Sequence, residues 1–302
     1  MKYTLSLLAL PLLLAACTDS APQAAVTSNG DSVTAATAVS PELHTELYGS
    51  YTGPFVTVES DAGTGDMLDD TAPISLMITR ITAQRVTGKS VLKGKVRPFS
   101  GTLAASGDSY RFTVNEPGDD TYDGRFDFTI VGDSLKGTWK AFDGTVPRPQ
   151  KEYALRKKAF AYSPNLMLDA STGMELADYQ KPDLRKETFE DDEGTVDTFT
   201  EEYYRMASDA VYKLNGSKQV LTEAQLKKLR KLDLEIIRNT IFARHGFSFS
   251  KKSVRQFFEQ TDWYMPVSAN VDAELTEVER QNIALLKRFE QYATDHYDTF
   301  GR

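Results

Sequence analysis

Residues 125–141 read RFDFTIVGDSLKGTWKA, and they decide the fold. In Phe126-Asp127-Phe128-Thr129-Ile130 apolar and polar side chains alternate. In an extended chain that puts the two kinds on opposite faces, one towards a core and one towards water. Gly132-Asp133 is a turn signal, and an extended run resumes from Ser134 to Ala141, so the stretch predicts a hairpin. The same texture continues outward in both directions. Candidate strands lie at 49–58, 74–83, 90–96, 101–103, 110–114, 125–131, 134–141 and 152–155, with turn signals such as Gly107-Asp108, Pro117-Gly118-Asp119-Asp120 and Asp143-Gly144 between them. Many short strands at close spacing predict an antiparallel β-barrel or sandwich over residues 43–158.

Two segments in this region, Tyr48-Gly49-Ser50-Tyr51-Thr52-Gly53 and the run from Gly132 to Trp139, resemble the strand pattern of small lipocalin-like barrels. A barrel of this size either holds one small apolar ligand or fills its centre with side chains, and the filled version is the expectation. Two acidic loops, 61–70 and 119–123, invite a calcium reading. Neither has the alternating oxygen ligands of an EF-hand, and aspartate with glycine also makes ordinary turns, so no metal is expected.

The start of the chain carries a different signal. Lys2 precedes an apolar run from Leu5 to Leu14, followed by Ala15, Ala16 and Cys17. The run is shorter than the roughly 20 apolar residues a spanning helix needs, and fits a signal peptide over residues 1–16. Leu14-Ala15-Ala16-Cys17 resembles the lipobox of bacterial lipoproteins. That resemblance implies acylation, including palmitate, at Cys17, the only cysteine in the chain. Several acyl chains make membrane binding persistent where one is marginal. Thr18, rather than aspartate, follows the cysteine, which favours the outer membrane of the cell envelope if the host has one. Residues 17–42, rich in Ala, Ser and Thr, read as a flexible tether.

The formal charge of −8 argues against binding nucleic acid through a bulk field. Acidic residues concentrate in residues 159–220, read as a connector in which 200–214 is expected to be helical, with Tyr204, Ala207 and Val211 on one face.

Residues 221–302 read as a small all-α domain, making the whole chain α+β. Thr222 and Gln225 form a capping box, Asp233 is placed to cap a second helix running to His245, and Gly246 stops that helix. The second helix ends in Phe242-Ala243-Arg244-His245-Gly246. This pentapeptide resembles the YARHG domain, with phenylalanine in the tyrosine place. Arg238-Asn239 before it, Phe247, Phe249, Phe257 and Phe258 after it, Trp263-Tyr264, the capping box Thr276-Glu277-Val278-Glu279 and Asn282-Ile283 follow the family's order. The resemblance implies an exported bacterial protein and carries no established reaction.

Three accounts of the motif compete. In the preferred one Arg238, Asn239, Arg244 and His245 are structural, the arginines bonding partners such as Glu279 or Glu290. In the second, Arg238, Arg244 and His245 receive an anionic ligand beside a stacking wall of Trp263 and Tyr264, which would suit cell-wall glycan. In the third, a cell-wall hydrolase uses His245 as general base and Arg244 as oxyanion partner. No nucleophile elbow, zinc pair or phosphate-cradling glycine loop is present. The expected protein is therefore a non-enzymatic envelope lipoprotein without cofactor. Its partners are the membrane through its anchor and either cell-wall glycan or an envelope protein.

Overall fold

The computed structural model describes residues 40–57, 72–170 and 176–299, so the leader, Cys17, most of the tether and the acidic loop 61–70 lie outside the described residues. Along the strand Gly124–Val131 the alternation is realised: Phe126, Phe128 and Ile130 are buried, while Arg125 and Val131 are exposed. The strands are β1 Gly49–Thr57, β2 Pro73–Ile81, β3 Val86–Leu92, β4 Lys95–Ser106, β5 Ser109–Asn115, β6 Gly124–Val131, β7 Ser134–Ala141 and β8 Gln150–Lys157. Each pairs antiparallel with the next, and β8 returns to β1, closing a barrel without a free edge.

Three of the connections are two-residue hairpin loops, Lys93-Gly94, Gly107-Asp108 and Gly132-Asp133, as shown by the end pairs Leu92↔Lys95, Ser106↔Ser109 and Val131↔Ser134. The strand expected over 90–96 is instead two strands meeting at the first of these. Lys93 and Gly94 both take positive φ, of 47° and 80°, the pair that a type I′ turn requires. The valines at 91 and 96 on either side hide the turn, because a lysine at positive φ has no sequence signature.

One end of the barrel is filled. Phe112 and Phe128 stack with centroids 4.7 Å apart, and Ile130, Leu135 and Leu155 pack around them. The 3-10 turn Thr45–Leu47 covers that end, its Leu47 carbonyl accepting from the Tyr51 hydroxyl at 3.2 Å.

The chain then forms a long hairpin of β9 Ala177–Glu190 and β10 Val196–Met206, to which β11 Tyr297–Asp298 adds at the base. The helix expected at 200–214 is therefore absent. Thr198, Phe199, Thr200 and Tyr203 are strand formers with register partners in β9, Tyr204 pairs with β11, and the i, i+3, i+7 spacing coincides with the strand's passage into the 3-10 turn Asp209–Tyr212. Arg205 fixes the base of this hairpin through Asp178 (2.8 Å), Glu235 (3.2 Å) and Asp295 (3.1 Å).

Four helices complete the fold: α1 Glu223–Leu226, α2 Lys231–Arg244, α3 Lys252–Arg255 and α4 Glu277–Glu290. Both expected capping boxes form, Thr222 with Gln225 and Thr276 with Glu279. Asp233 serves α2 from inside its first turn, accepting from the Arg230 N–H at 2.9 Å and from the Ser208 hydroxyl at 2.9 Å, so it ties the helix start to the preceding loop. Helices α2 and α4 pack through Ile237, Ile241, Ile283 and Leu286. Residues 40–302 form one compact unit. Within it, the Gly94 N–H on the barrel donates to the Ser248 hydroxyl at 2.9 Å, and the Lys158 ammonium to the Asp262 carbonyl at 2.8 Å.

Candidate functional site

The last turn of α2 points its polar side chains inward. Arg244 is 1% exposed, and its guanidinium donates to the Leu166 carbonyl (2.6 Å), the Ser217 hydroxyl (2.9 Å) and the Met167 sulfur (3.0 Å). Burial pulls this arginine down to about 10, with Glu279 and Tyr162 opposing the shift, so it stays a cation at neutral pH. His245 follows at the helix end, where Gly246 with φ of 71° turns the chain away. A side chain at 246 would lie 2.5 Å from Val267 and 2.8 Å from Phe160, so close packing as well as backbone angle requires glycine there.

Glu279 is the hub of the cluster and is fully buried. One of its oxygens, Oε2, lies 2.8 Å from His245 Nε2 and accepts from the Thr276 N–H at 2.9 Å; the other accepts from the Tyr162 hydroxyl at 3.1 Å. The Tyr162 ring stacks on the imidazole with centroids 4.3 Å apart. Burial alone would raise the Glu279 carboxyl, but the hydrogen bonds from His245, Ser217 and the Thr276 backbone outweigh it and hold the group down at about 2.

Arg238 sits elsewhere, pairing with Glu290 through two contacts of 2.5 and 3.1 Å while donating to Asn239 Oδ1 at 3.3 Å. Asn282 accepts from the Leu221 N–H and donates to the Gly216 and Gln219 carbonyls, holding the approach to α1 against α4. Trp263 donates to the Met167 carbonyl at 3.0 Å, and the Tyr264 hydroxyl to the Phe247 carbonyl at 2.9 Å. Both rings belong to an aromatic core with Phe249 and Phe258.

Residues 210–291 match the YARHG domain. No curated protein and no solved structure matches the chain. The YARHG match begins eleven residues before the helical region expected from sequence, at the 3-10 turn whose Val211 is buried in the same core.

The geometry separates the site residues proposed from sequence. The arginines were expected to find Glu279 or Glu290, and Arg238 does bond Glu290. The partner of Glu279, however, is His245, while Arg244 bonds residues of the segment read as a connector. Arg238, Arg244 and His245 do not converge on one outward cationic surface, and Trp263 and Tyr264 do not form an exposed wall. Nothing in the cluster supports the hydrolase alternative: a general base must reach a substrate proton, and His245 is 6% exposed and held between Tyr162 and Glu279. Among the described residues no group of three or more His, Cys, Asp or Glu side chains is placed to hold a metal ion. The loop 119–123 is built as a turn. Asp123 accepts from the Gly118 and Asp120 N–H groups, and the Lys95 ammonium holds Asp120 down at about 2.

Among the described residues, the barrel holds a concave site lined by both apolar and charged side chains. Its centre is filled at the Leu47 end only; at the other lies a cavity of about 390 Å³, whose apolar wall includes Phe55, Ile74, Phe126 and Trp139. Ser90 and Glu116 supply polar groups to it, together with five cations, Lys93, Lys95, Arg97, Arg148 and Lys151. The Glu116 carboxylate is spoken for, accepting from the Ser90 hydroxyl (2.7 Å), the Gly124 N–H (2.9 Å) and the Trp139 indole (3.2 Å), and burial pushes its pKa up. No candidate site residue was placed here from sequence. A signal was present nonetheless: at the inward positions of β8, Leu155 and Tyr153 are followed by Lys151, a charge where a core residue is due.

Proposed function

We propose that this is an exported, lipid-anchored, non-enzymatic binding protein of the cell envelope, whose barrel takes a small apolar molecule and whose YARHG domain is the rigid body against which the barrel seats. The cavity carries this reading. It falls in the range of about 300–1,000 Å³ typical of small-molecule sites, with an apolar wall that includes Phe55, Ile74, Phe126 and Trp139 and a polar side in which five cations take part. The burial of Arg244, His245 and Glu279 supports a structural role for the motif, and the Gly94–Ser248 contact supports a seating role for the domain. The YARHG match and the leader ending at Cys17 support export, with the lipid on Cys17 making the membrane the first partner and the outer membrane the favoured one. An envelope protein remains a second partner in this reading, and cell-wall glycan loses the exposed Trp263 platform on which it rested.

Two measurements test the proposal. Labelled palmitate added to expressing cells should appear on the wild-type chain and not on Cys17→Ser; a label absent from both would remove the anchor. The chain from residue 18, which keeps the whole unit 40–302, should enhance the fluorescence of the neutral probe N-phenyl-1-naphthylamine saturably. Ile74→Trp, which fills the cavity, should abolish the enhancement. Enhancement unchanged by that substitution would place the probe elsewhere and contradict the reading.

A further inference from the structure

Two of the five cations that line the cavity stand at inward positions of its strands. On β4 the inward residue Phe99 is followed, two positions nearer the open end, by Arg97; on β8 Tyr153 is followed in the same way by Lys151. Alternation along a strand gives these two cations the same face as the core residues beside them. Arg97 is 15% exposed and lies 3.0 Å from Asp123 through Nε, without hydrogen-bond alignment, and 3.6 Å from Asp120, and Lys151 is 8% exposed with its ammonium 5.9 Å from the Phe55 ring. Lys151 also bonds Thr57. Glu116, the one carboxylate among the described lining residues, is engaged on both oxygens by protein donors, so it presents little acceptor capacity to a ligand.

We propose that the barrel ligand is a single-chain amphiphile with an anionic headgroup, bound with its tail against Phe55, Ile74, Phe126 and Trp139 and its headgroup at Lys151 and Arg97. This rests on the reading of the barrel as a binding site and adds the class of ligand. The apolar wall takes the chain for the usual reason, removal of apolar surface from water. The headgroup adds charge-assisted hydrogen bonds to cations already turned towards the cavity and partly shielded from solvent, where such bonds are stronger than in water. It needs no vacant cation, because an ammonium has three donors and a guanidinium five. A cationic headgroup of the same size meets two like charges instead.

The test displaces N-phenyl-1-naphthylamine from the chain starting at residue 18 with three ligands that differ only in headgroup: decanoate, decanol and decyltrimethylammonium. Decanoate should displace the probe at roughly tenfold lower concentration than decanol, with the quaternary ammonium weakest. In Lys151→Met, decanoate and decanol, each compared with the other on that variant, should come to within about twofold, while Lys151→Arg keeps the preference. Equal displacement by decanoate and decanol in the wild-type protein, or a preference untouched in Lys151→Met, would overturn the headgroup assignment while leaving the binding site standing. A probe that never binds would overturn both.

Discussion

Glu279 shows how a single residue converts a sequence motif into structure. It closes the capping box of α4, receives His245 from α2 and Tyr162 from the segment before β9, and so joins three parts of the chain at one carboxylate. Removing one partner of a buried pair leaves the other uncompensated, which typically costs about 3–5 kcal/mol. His245→Ala should therefore lower unfolding stability by about that amount in a urea titration. If the loss is below 1 kcal/mol, the pair is not the hub described. Glu279 also sets an acid dependence. Its pKa in the folded chain, about 2, lies below its ordinary 4.5, so its stabilisation is complete above pH 4.5 and is lost as pH falls from there through 2. At 1.36 kcal/mol per unit this amounts to at most roughly 3 kcal/mol. Glu279→Gln should flatten that part of the stability-pH curve, and a curve unchanged in shape would assign the acid loss elsewhere. At this scale the sequence was partly legible: it named Glu290 beside Glu279 as a partner for either arginine, and Arg238 takes Glu290. It did not identify Leu166, Met167 or Ser217 for Arg244, because neutral acceptors in a loop carry no pattern that marks them as partners.

Elements were more legible than their partners, because periodicity and end signals are local. The barrel strands β1, β6, β7 and β8 follow from alternation, and α2 stops where Gly246 requires it. Gly246→Ala combines positive φ with contacts inside 3 Å to Val267, Phe160 and the Met265 carbonyl. It should cost more than the roughly 1 kcal/mol of a simple Gly→Ala change at positive φ, read as a lower melting temperature. A melting temperature within a degree of wild type would mean the turn can relax. The failures are equally physical. The helix expected at 200–214 lost to hairpin pairing with β9 across the turn at 191–195, a pairing that helical spacing read on 200–214 alone does not register, and the strand at 90–96 concealed a turn whose first residue is lysine.

The whole molecule joins a closed barrel to the YARHG domain through contacts invisible in either half. The Lys93-Gly94 hairpin at the open end of the barrel reaches Ser248 and packs so closely on Ser250 that a Cβ on Gly94 would lie 2.7 Å from the serine Cβ. Gly94→Val should loosen this seat. Amide hydrogen exchange should then quicken in residues 246–250 while the interior of β6 and β7 keeps its protection, and uniform quickening would indicate global destabilisation instead. The α+β class and the two kinds of module were readable from the chain. The cavity was not, since whether a barrel fills its own centre depends on how side chains from eight strands meet.

That cavity, against the motif, is the central choice, and the two tryptophans separate the sites. Trp139 lines the barrel cavity with its indole on Glu116, and Trp263 lies in the YARHG core with its indole on Met167. The most direct measurement follows the two indole N–H resonances as decanoate is added to the chain from residue 18. Movement of the Trp139 signal with the Trp263 signal fixed is the predicted result; movement of Trp263 with Trp139 fixed would contradict it and return function to the motif.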